Sequence, residues 1–579
     1  MSDTTSILKN LNDQVTITIF VSRPTYNGMT VKDYANGIVA GTHSVLDHDE
    51  FETMFGASDP DIDSVVQFVE QAGLTVTYSH CCAASVIAVG TVGQINSAFG
   101  ITLNDVTTPE RTYMTYTGSI TLPNNLKDVV EHVDGLDTSL QFIPPSPPPA
   151  STPTPGYNTK LVKPQVAATA YNFPGNNDGT DGVGQVIALI EPYNGGYTEQ
   201  NLTSTFTTYG ISGTTVVDYL LDGKTNDPTV LSNQNYEIML DIAMVAGIVP
   251  KATIVVYFCN SIATALNAIL NDPQNKGYRP KIVSMSIGGG EGFATKSADD
   301  YIDQATTLGV TLIASSGDWG AYNAPVGYVG PPARGIGPCW PASNPKVLAI
   351  GGTSLKLNSD GSINSEITWN NNGEDYAITG GNQSTRYPVP TWQTGITLKN
   401  YATGISSAPT GRAVPDVAFV GDTNTGFTYN FYYNSTYPNL QSTTGGGTSA
   451  SAPLWAGLIA RINQLTGTSS GFVNSKFYNN AAAFNDILPT AVANNNVWSG
   501  NTSVGFSTTT GWDACTGWGS PKGRLVYELI ANVGGTKVKT ASSTWSSVQN
   551  IQVKTATNTW TTVNKVWTKV DATTWKQVY

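Results

Sequence analysis

Charge is scarce in this chain. Lys, Arg, Asp and Glu together supply 12% of its 579 residues, so the solvated surface must rely on Ser, Thr, Asn and Gly. What charge exists is acidic, 29 basic against 42 acidic side chains, for a formal net charge of -13. Such a balance repels phosphate backbones and anionic lipid, which excludes nucleic acid and a membrane surface as expected partners. No apolar run approaches the roughly 18–20 residues that cross a bilayer. The start, MSDTTSILKNLNDQ, lacks the basic and then apolar regions of a secretory leader. Cysteine is rare too: Cys81, Cys82, Cys259, Cys339 and Cys515 form no CxxC pair and no zinc-like spacing. Free buried thiols, with one bridge at most, are expected rather than a disulfide framework. The scarcest chemical residue is histidine, and all four, His43, His48, His80 and His132, fall in the first quarter of the chain.

Hydrophobic residues make up 40% of the sequence, enough for large cores, and the length implies two to four domains at about 150 residues each. The clearest boundary is IPPSPPPASTPTPGYNT, where seven of the twelve residues from Pro144 to Pro155 are proline, a stiff, extended and protease-accessible connector. Before it, VTITIFVSR, HDEFETMFGA, SVVQFVEQAG and LTVTYSH alternate strand with helix patterns, as in a small α+β domain. After it, VIALIEPY, ATIVVYF, KIVSMSIGG and VTLIASSGD read as buried parallel strands separated by helices. The larger unit is therefore α/β. From about Thr536 a 15-residue repeat aligns Lys539, Lys554 and Lys569, Trp545, Trp560 and Trp575, and Val548, Val563 and Val578, the mark of small hairpin-like β units. A packing tail and an adhesion or assembly module remain equal readings of it. The expected division is a domain over 1–143, a Pro-rich linker over 144–160, an α/β domain over 161–533 and a β-rich repeat tail over 536–579.

Histidine is the usual general base for a serine nucleophile. If the connector separates domains, the α/β unit must run any acid–base chemistry on Asp, Glu, Lys, Tyr or Cys. Within it, GGGTSASAPLWAGLIARI is a glycine-rich turn followed by a helical run beginning near Ser449. A serine in the first turn of a buried helix sits beside free amides and the positive helix end, which favour developing negative charge. A plain N-capping role is the alternative. In NYEIMLDIAMVAGIVP, Glu237 and Asp241 stand four apart and project from one face of a helix that is otherwise apolar. The other reading, a solvated acidic edge, fits those apolar neighbours poorly. SSGDWGA places Asp318 at the carboxyl end of a strand, where open α/β sheets carry their sites and where turns also favour Asp.

The fragment Gly447-Thr448-Ser449-Ala450-Ser451-Ala452-Pro453 resembles the nucleophile signature of the subtilisin-like clan. With Ser451 in that position and Glu-x-x-x-Asp replacing a histidine, the chain resembles the sedolisin family, the serine-carboxyl peptidases. That resemblance implies a subtilisin-like parallel-sheet catalytic domain, with Ser449 as nucleophile and Glu237 as general base and acid. It implies that Asp241 orients Glu237 and shares its proton, and that Asp318 donates a hydrogen bond to the oxyanion. A donating Asp318 must be protonated, so activity is expected at acid pH. Glu191 in IALIEPYNGGY resembles the family's relay carboxylate, whereas Ile287 in SMSIGGGE stands where many members carry Trp. FNDI and TTGWDACTGWGSP resemble the family's calcium loop, which implies one structural Ca2+ held by Asp486 and Asp513 and by main-chain oxygens of Ile487, Thr509 and Gly511. The first unit resembles a ferredoxin-like activation propeptide of the pro-kumamolisin type, an intramolecular inhibitor, and KPQVAATAYNFP resembles the start of a mature enzyme. The expectation is thus a monomeric acid endopeptidase precursor, released from the cell, acting on protein or peptide substrates. The alternative is a catalytically idle structural or surface-binding protein of the same fold.

Overall fold

The computed structural model describes residues 5–108, 112–139, 163–175, 179–229, 232–272, 277–322, 335–371, 377–434, 437–489 and 494–532, with short segments between 536 and 577. The expected linker over 144–160 lies outside the described residues. In the tail, three antiparallel pairs place Lys539 opposite Trp545, Lys554 opposite Trp560 and Lys569 opposite Trp575 along the backbone.

In the N-terminal unit Val15, Ile17 and Ile19 alternate with polar neighbours along the strand Gln14–Val21 and are buried, the period of a strand with one covered face. This strand lies between Ser85–Thr91 and Val130–Asp134, and Thr75–His80 pairs beyond Ser85–Thr91, all antiparallel. Helices Asp59–Gln71 and Val92–Phe99 bury Ile62, Val65, Val69, Ile95 and Phe99 in the same core. With Asp59–Gln71 packed on the sheet from the first crossover and Val92–Phe99 from the second, this is the ferredoxin-like arrangement.

The large unit is a sheet ordered Ile363–Thr368, Leu348–Leu357, Thr311–Ser315, Ile282–Met285, Val186–Glu191, Thr253–Phe258, Thr215–Leu220, with Val417–Val420 also beside Leu348–Leu357. Every pairing is parallel except that of Ile363–Thr368. The central strands are mostly apolar and buried almost throughout because helices cover them. Strand order reverses between Val186–Glu191 and Ile282–Met285, and the crevice at the carboxyl ends of such a switch point is where α/β sheets bind ligands. Helices Ser232–Ile248 and Thr448–Thr466 pack together along the sheet. A second pair, Ile262–Asn271 and Lys296–Thr307, carries the N-terminal unit: Leu46 N–H donates to Thr307 O (2.9 Å), Tyr78 OH to Asn271 O (3.0 Å) and an Arg23 guanidinium N–H to Gln304 Oε1 (3.2 Å). Four of the five cysteines are buried, Cys81 is half-buried, and all five are free thiols. Among the described residues no helix is long and apolar enough to cross a membrane.

Candidate active site

A glycine sets the position of Ser449. Gly447 has φ +85°, in the left-handed region that suits glycine, and a Cβ there would lie 2.8 Å from Asp318 Oδ2. Gly447 caps the helix Thr448–Thr466 without a side-chain bond, so Ser449 stands in the first turn at the positive helix end, 5% exposed. Asp318, just past the strand Thr311–Ser315, meets this turn from the sheet. Its Oδ1 accepts both the Thr448 amide (2.8 Å) and the Thr448 hydroxyl (2.7 Å). Thr448 Oγ1 in turn accepts Gly317 N–H at 3.1 Å. Burial pushes Asp318 up to about 6, against the pull of the two Thr448 bonds.

Glu237 and Asp241, one turn apart on Ser232–Ile248, are both buried. Glu237 faces the Ser449 hydroxyl. Burial raises Glu237 to about 8, the Ser449 hydroxyl works against that rise, and the charge of Asp318 adds to it. Asp241 is raised well above the carboxylate range by burial and then by the Glu237 charge. Glu191, the last residue of its strand, is raised likewise by burial, then by Asp241 and Glu237. Both oxygens of Glu191, both of Asp241 and Oε1 of Glu237 are buried with no hydrogen-bond partner among the described residues. Three carboxyls at close quarters without a cation cannot all ionise, so this cluster stores protons. Tyr193, Ile287, Gly288 and Trp319 line the cleft with Asp318 and Ser449. Ile287, where the sequence resemblance expects Trp, offers the carboxyls no polar group.

Sequence reasoning passed over two residues of this constellation. Thr448 lay inside the quoted motif, yet only the fold shows it bonded to Asp318. Ser286 donates from Oγ to Ser449 O at 3.0 Å across the interface between sheet and helix. The serine pair in SMS was its only signal.

The residues expected to hold calcium lie together, away from the carboxyl cluster. Asp486 Oδ2 accepts Gly511 N–H at 2.7 Å, and Asp513 Oδ2 accepts Thr509 N–H at 3.4 Å. Asp513 Oδ1 accepts the amides of Cys515 and Thr516, each at 2.9 Å. Asp486 Oδ1 is buried with no partner among the described residues, and burial pushes Asp513 up to about 7. An orphaned carboxylate oxygen on Asp486, bonded through its other oxygen to the loop that carries the buried Asp513, is a donor chemistry that suits a hard, oxygen-seeking cation. Toward Thr509 and Gly511 it is the amides, not the carbonyls, that meet the carboxylates here.

Residues 9–139 match the family model "Pro-kumamolisin, activation domain", and residues 213–519 match "Subtilase family". Fold and matches together define a subtilase-type peptidase made behind an activation domain. Kumamolisin of a Bacillus species is 35% identical over 451 residues, covering 75% of this chain and 77% of its own length. A tripeptidyl-peptidase of Aspergillus fumigatus is 28% identical over 516 residues, covering 78% and 81%. The structure of Pseudomonas sedolisin, a serine-carboxyl proteinase complexed with pseudo-iodotyrostatin, aligns with a TM-score of 0.51 at 24% identity, covering 65% of this chain and 99% of that one. The chain belongs to the sedolisin family of serine-type peptidases, as a precursor of the pro-kumamolisin kind.

Proposed function

We propose that the chain is the precursor of an acid-active serine-carboxyl endopeptidase, with its boundaries at 1–143, 144–160 and 161–533. Ser449 Oγ attacks the peptide carbonyl and Glu237 takes its proton, later returning it to the leaving amine. Asp241 holds the neighbouring proton, and Asp318 as a neutral acid donates from Oδ2 to the oxyanion. The observation that carries this reading is Glu237 facing the Ser449 hydroxyl in a site where the described residues supply no imidazole. Glu237's own rise owes part to an ionised Asp318. When Asp318 is neutral, as the oxyanion requires, that part vanishes and Glu237 becomes a base at lower pH. One Ca2+ on Asp486 and Asp513 would brace the carboxyl-terminal loops and neutralise two buried carboxylates, with Ile487, Thr509 and Gly511 as carbonyl donors. The N-terminal domain acts as intramolecular inhibitor, and the enzyme, a monomer released from the cell, acts on protein or peptide chains.

The test acidifies the purified full-length chain to about pH 4, near the ordinary carboxyl pKa, and follows its mass and its digestion of casein beside Ser449→Ala. The wild type is expected to shorten itself and to cut casein internally, while Ser449→Ala stays at full length. Efficient processing by the pure mutant would contradict the assignment. A folded wild type silent at acid and neutral pH would instead establish the idle structural protein.

A further inference from the structure

In an α-helix each carbonyl accepts from the amide four residues on. The partner due to Ser449 in Thr448–Thr466 is residue 453, which is proline. Pro453 has no N–H to give, so the main-chain carbonyl of Ser449 lacks the amide due to it four residues on, at a buried position. The central sheet supplies a donor. Ser286, 2% exposed and directly after the strand Ile282–Met285, donates from Oγ to Ser449 O at 3.0 Å. Ser286 is itself braced, since Tyr193 OH donates to its carbonyl at 3.4 Å.

A serine hydroxyl carries a single proton. With that proton committed to Ser449 O, Ser286 can offer any other neighbour only a lone pair. The neighbour is Asp241, whose two oxygens are buried without a hydrogen-bond partner among the described residues; a Ser286 hydroxyl donating to it would work against its rise, but that proton is already given to Ser449 O. A bond between them therefore needs its proton from Asp241.

Resting on the peptidase reading above, we infer that Ser286 is a positioning residue of this site. Its hydroxyl replaces the amide missing at Pro453 and so fixes Ser449. Its lone pair keeps the proton of the carboxyl pair on Asp241, leaving Glu237 free to receive the proton of Ser449. Protons balance through the cycle: Ser449 gives one to Glu237, Glu237 passes it to the leaving amine, and Asp241 keeps its own. Glu191, Tyr193, Glu237 and Asp318 are the other titratable groups that bear on this pair.

The experiment compares the acid-matured wild type, Ser286→Ala and Ser286→Ala with Pro453→Ala, measuring kcat, KM and the pH dependence of kcat on one peptide. Ser286→Ala is expected to lower kcat about 10- to 100-fold at nearly constant KM, the consequence of an unsatisfied buried carbonyl. With each variant also carrying Asp318→Asn, which removes the fall that Asp318 sets near pH 6, the alkaline limb that is left should move to lower pH on Ser286→Ala, because Asp241 loses the acceptor that favours its protonated form. Adding Pro453→Ala restores an amide to the Ser449 carbonyl and should recover most of kcat while leaving the limb displaced. A limb that stays put or moves to higher pH, the latter meaning that Ser286 had been donating to an Asp241 carboxylate, overturns the inference, as does a kcat that Pro453→Ala does not recover. Should Ser286→Ala fail to mature, Ser286→Thr keeps the hydroxyl and must retain the wild-type limb. A wild type silent at every pH would defeat both the inference and the peptidase reading, whereas an active wild type with any of the contrary results defeats the inference alone.

Discussion

Thr448 decides which oxygen of Asp318 can carry a proton. By giving both its amide and its hydroxyl to Oδ1, it makes that oxygen an acceptor, and the acidic hydrogen of the neutral form must sit on Oδ2, the oxygen beside Gly447. Burial raises the carboxyl to about 6. For a donor the sign is simple: oxyanion stabilisation is complete well below that value and is lost as pH rises through it. Asp318→Asn tests this, because an amide can accept from Thr448 with its oxygen and donate with its nitrogen at every pH. The fall of kcat/KM on passing about pH 6 should disappear in Asp318→Asn, whereas Asp318→Ala should lose about 100- to 1,000-fold in kcat, the usual scale for one oxyanion donor. A pH–rate profile of Asp318→Asn that keeps the wild-type limb would remove Asp318 from that role.

Two helices carry Glu237 and Ser449, the base and the nucleophile that we propose, so the distance between them is a property of elements. Glu237 faces Ser449 near the start of both helices, and further along Gly457 meets Ile248 so closely that a Cβ on Gly457 would lie 2.6 Å from Ile248 Cβ. The guanidinium of Arg461 ties the same ends together, donating to Ile248 O from Nε (3.0 Å) and Nη2 (2.8 Å), where the last helical carbonyls need donors. Gly457→Ala must push the helices apart, since the clash is with another Cβ and not with a flexible tip. Kinetics should show kcat reduced about 100-fold, the scale of a 1 Å misplacement, in a protein that still melts cooperatively; unchanged kcat would mean that the crossing does not set the catalytic distance. This crossing also marks where reading the sequence stops. The strands Val186–Glu191, Thr253–Phe258, Ile282–Met285 and Thr311–Ser315 were legible because burial on both faces leaves short β-branched runs, and Glu237 with Asp241 because four residues make one helical turn. Strand order was not, because it is set by pairings between separate segments, nor were the Thr448–Asp318 and Ser286–Ser449 bonds, each of which joins residues more than a hundred positions apart and leaves no local period to read.

At the scale of the whole molecule, the histidines missing from the catalytic unit reappear where the N-terminal unit meets it. His48 Nε2 lies 2.8 Å from Leu270 O at the carboxyl end of a catalytic-unit helix. His132 stacks on Phe20 at 4.2 Å, with both ring nitrogens buried and without partners among the described residues. Burial is the main cause that lowers both from the ordinary histidine value. The assembled precursor thus prefers neutral rings, and the docking they permit is fully present above about 6.5 and lost as pH falls through the lowered values. The charges around His132 are mixed: Glu131 and Asp134 on its own strand and Asp300 on the facing helix favour its cation, and Lys296, bridged to Glu131 at 2.7 Å, opposes it. Asp300 works in the other direction on docking, because burial raises it and its protonation below that raised value favours the assembled state. The loosening should therefore fall between about 6.5 and the value to which burial lowers His132. His132→Phe keeps an aromatic ring on Phe20 and cannot charge, so the pH at which half of the full-length chain has processed itself should move downward. With the proposed boundaries the mature enzyme lacks residue 132 and should keep the wild-type profile in the same preparation. Equal activation midpoints for the two precursors would show that protonation of His132 has no part in releasing the domain.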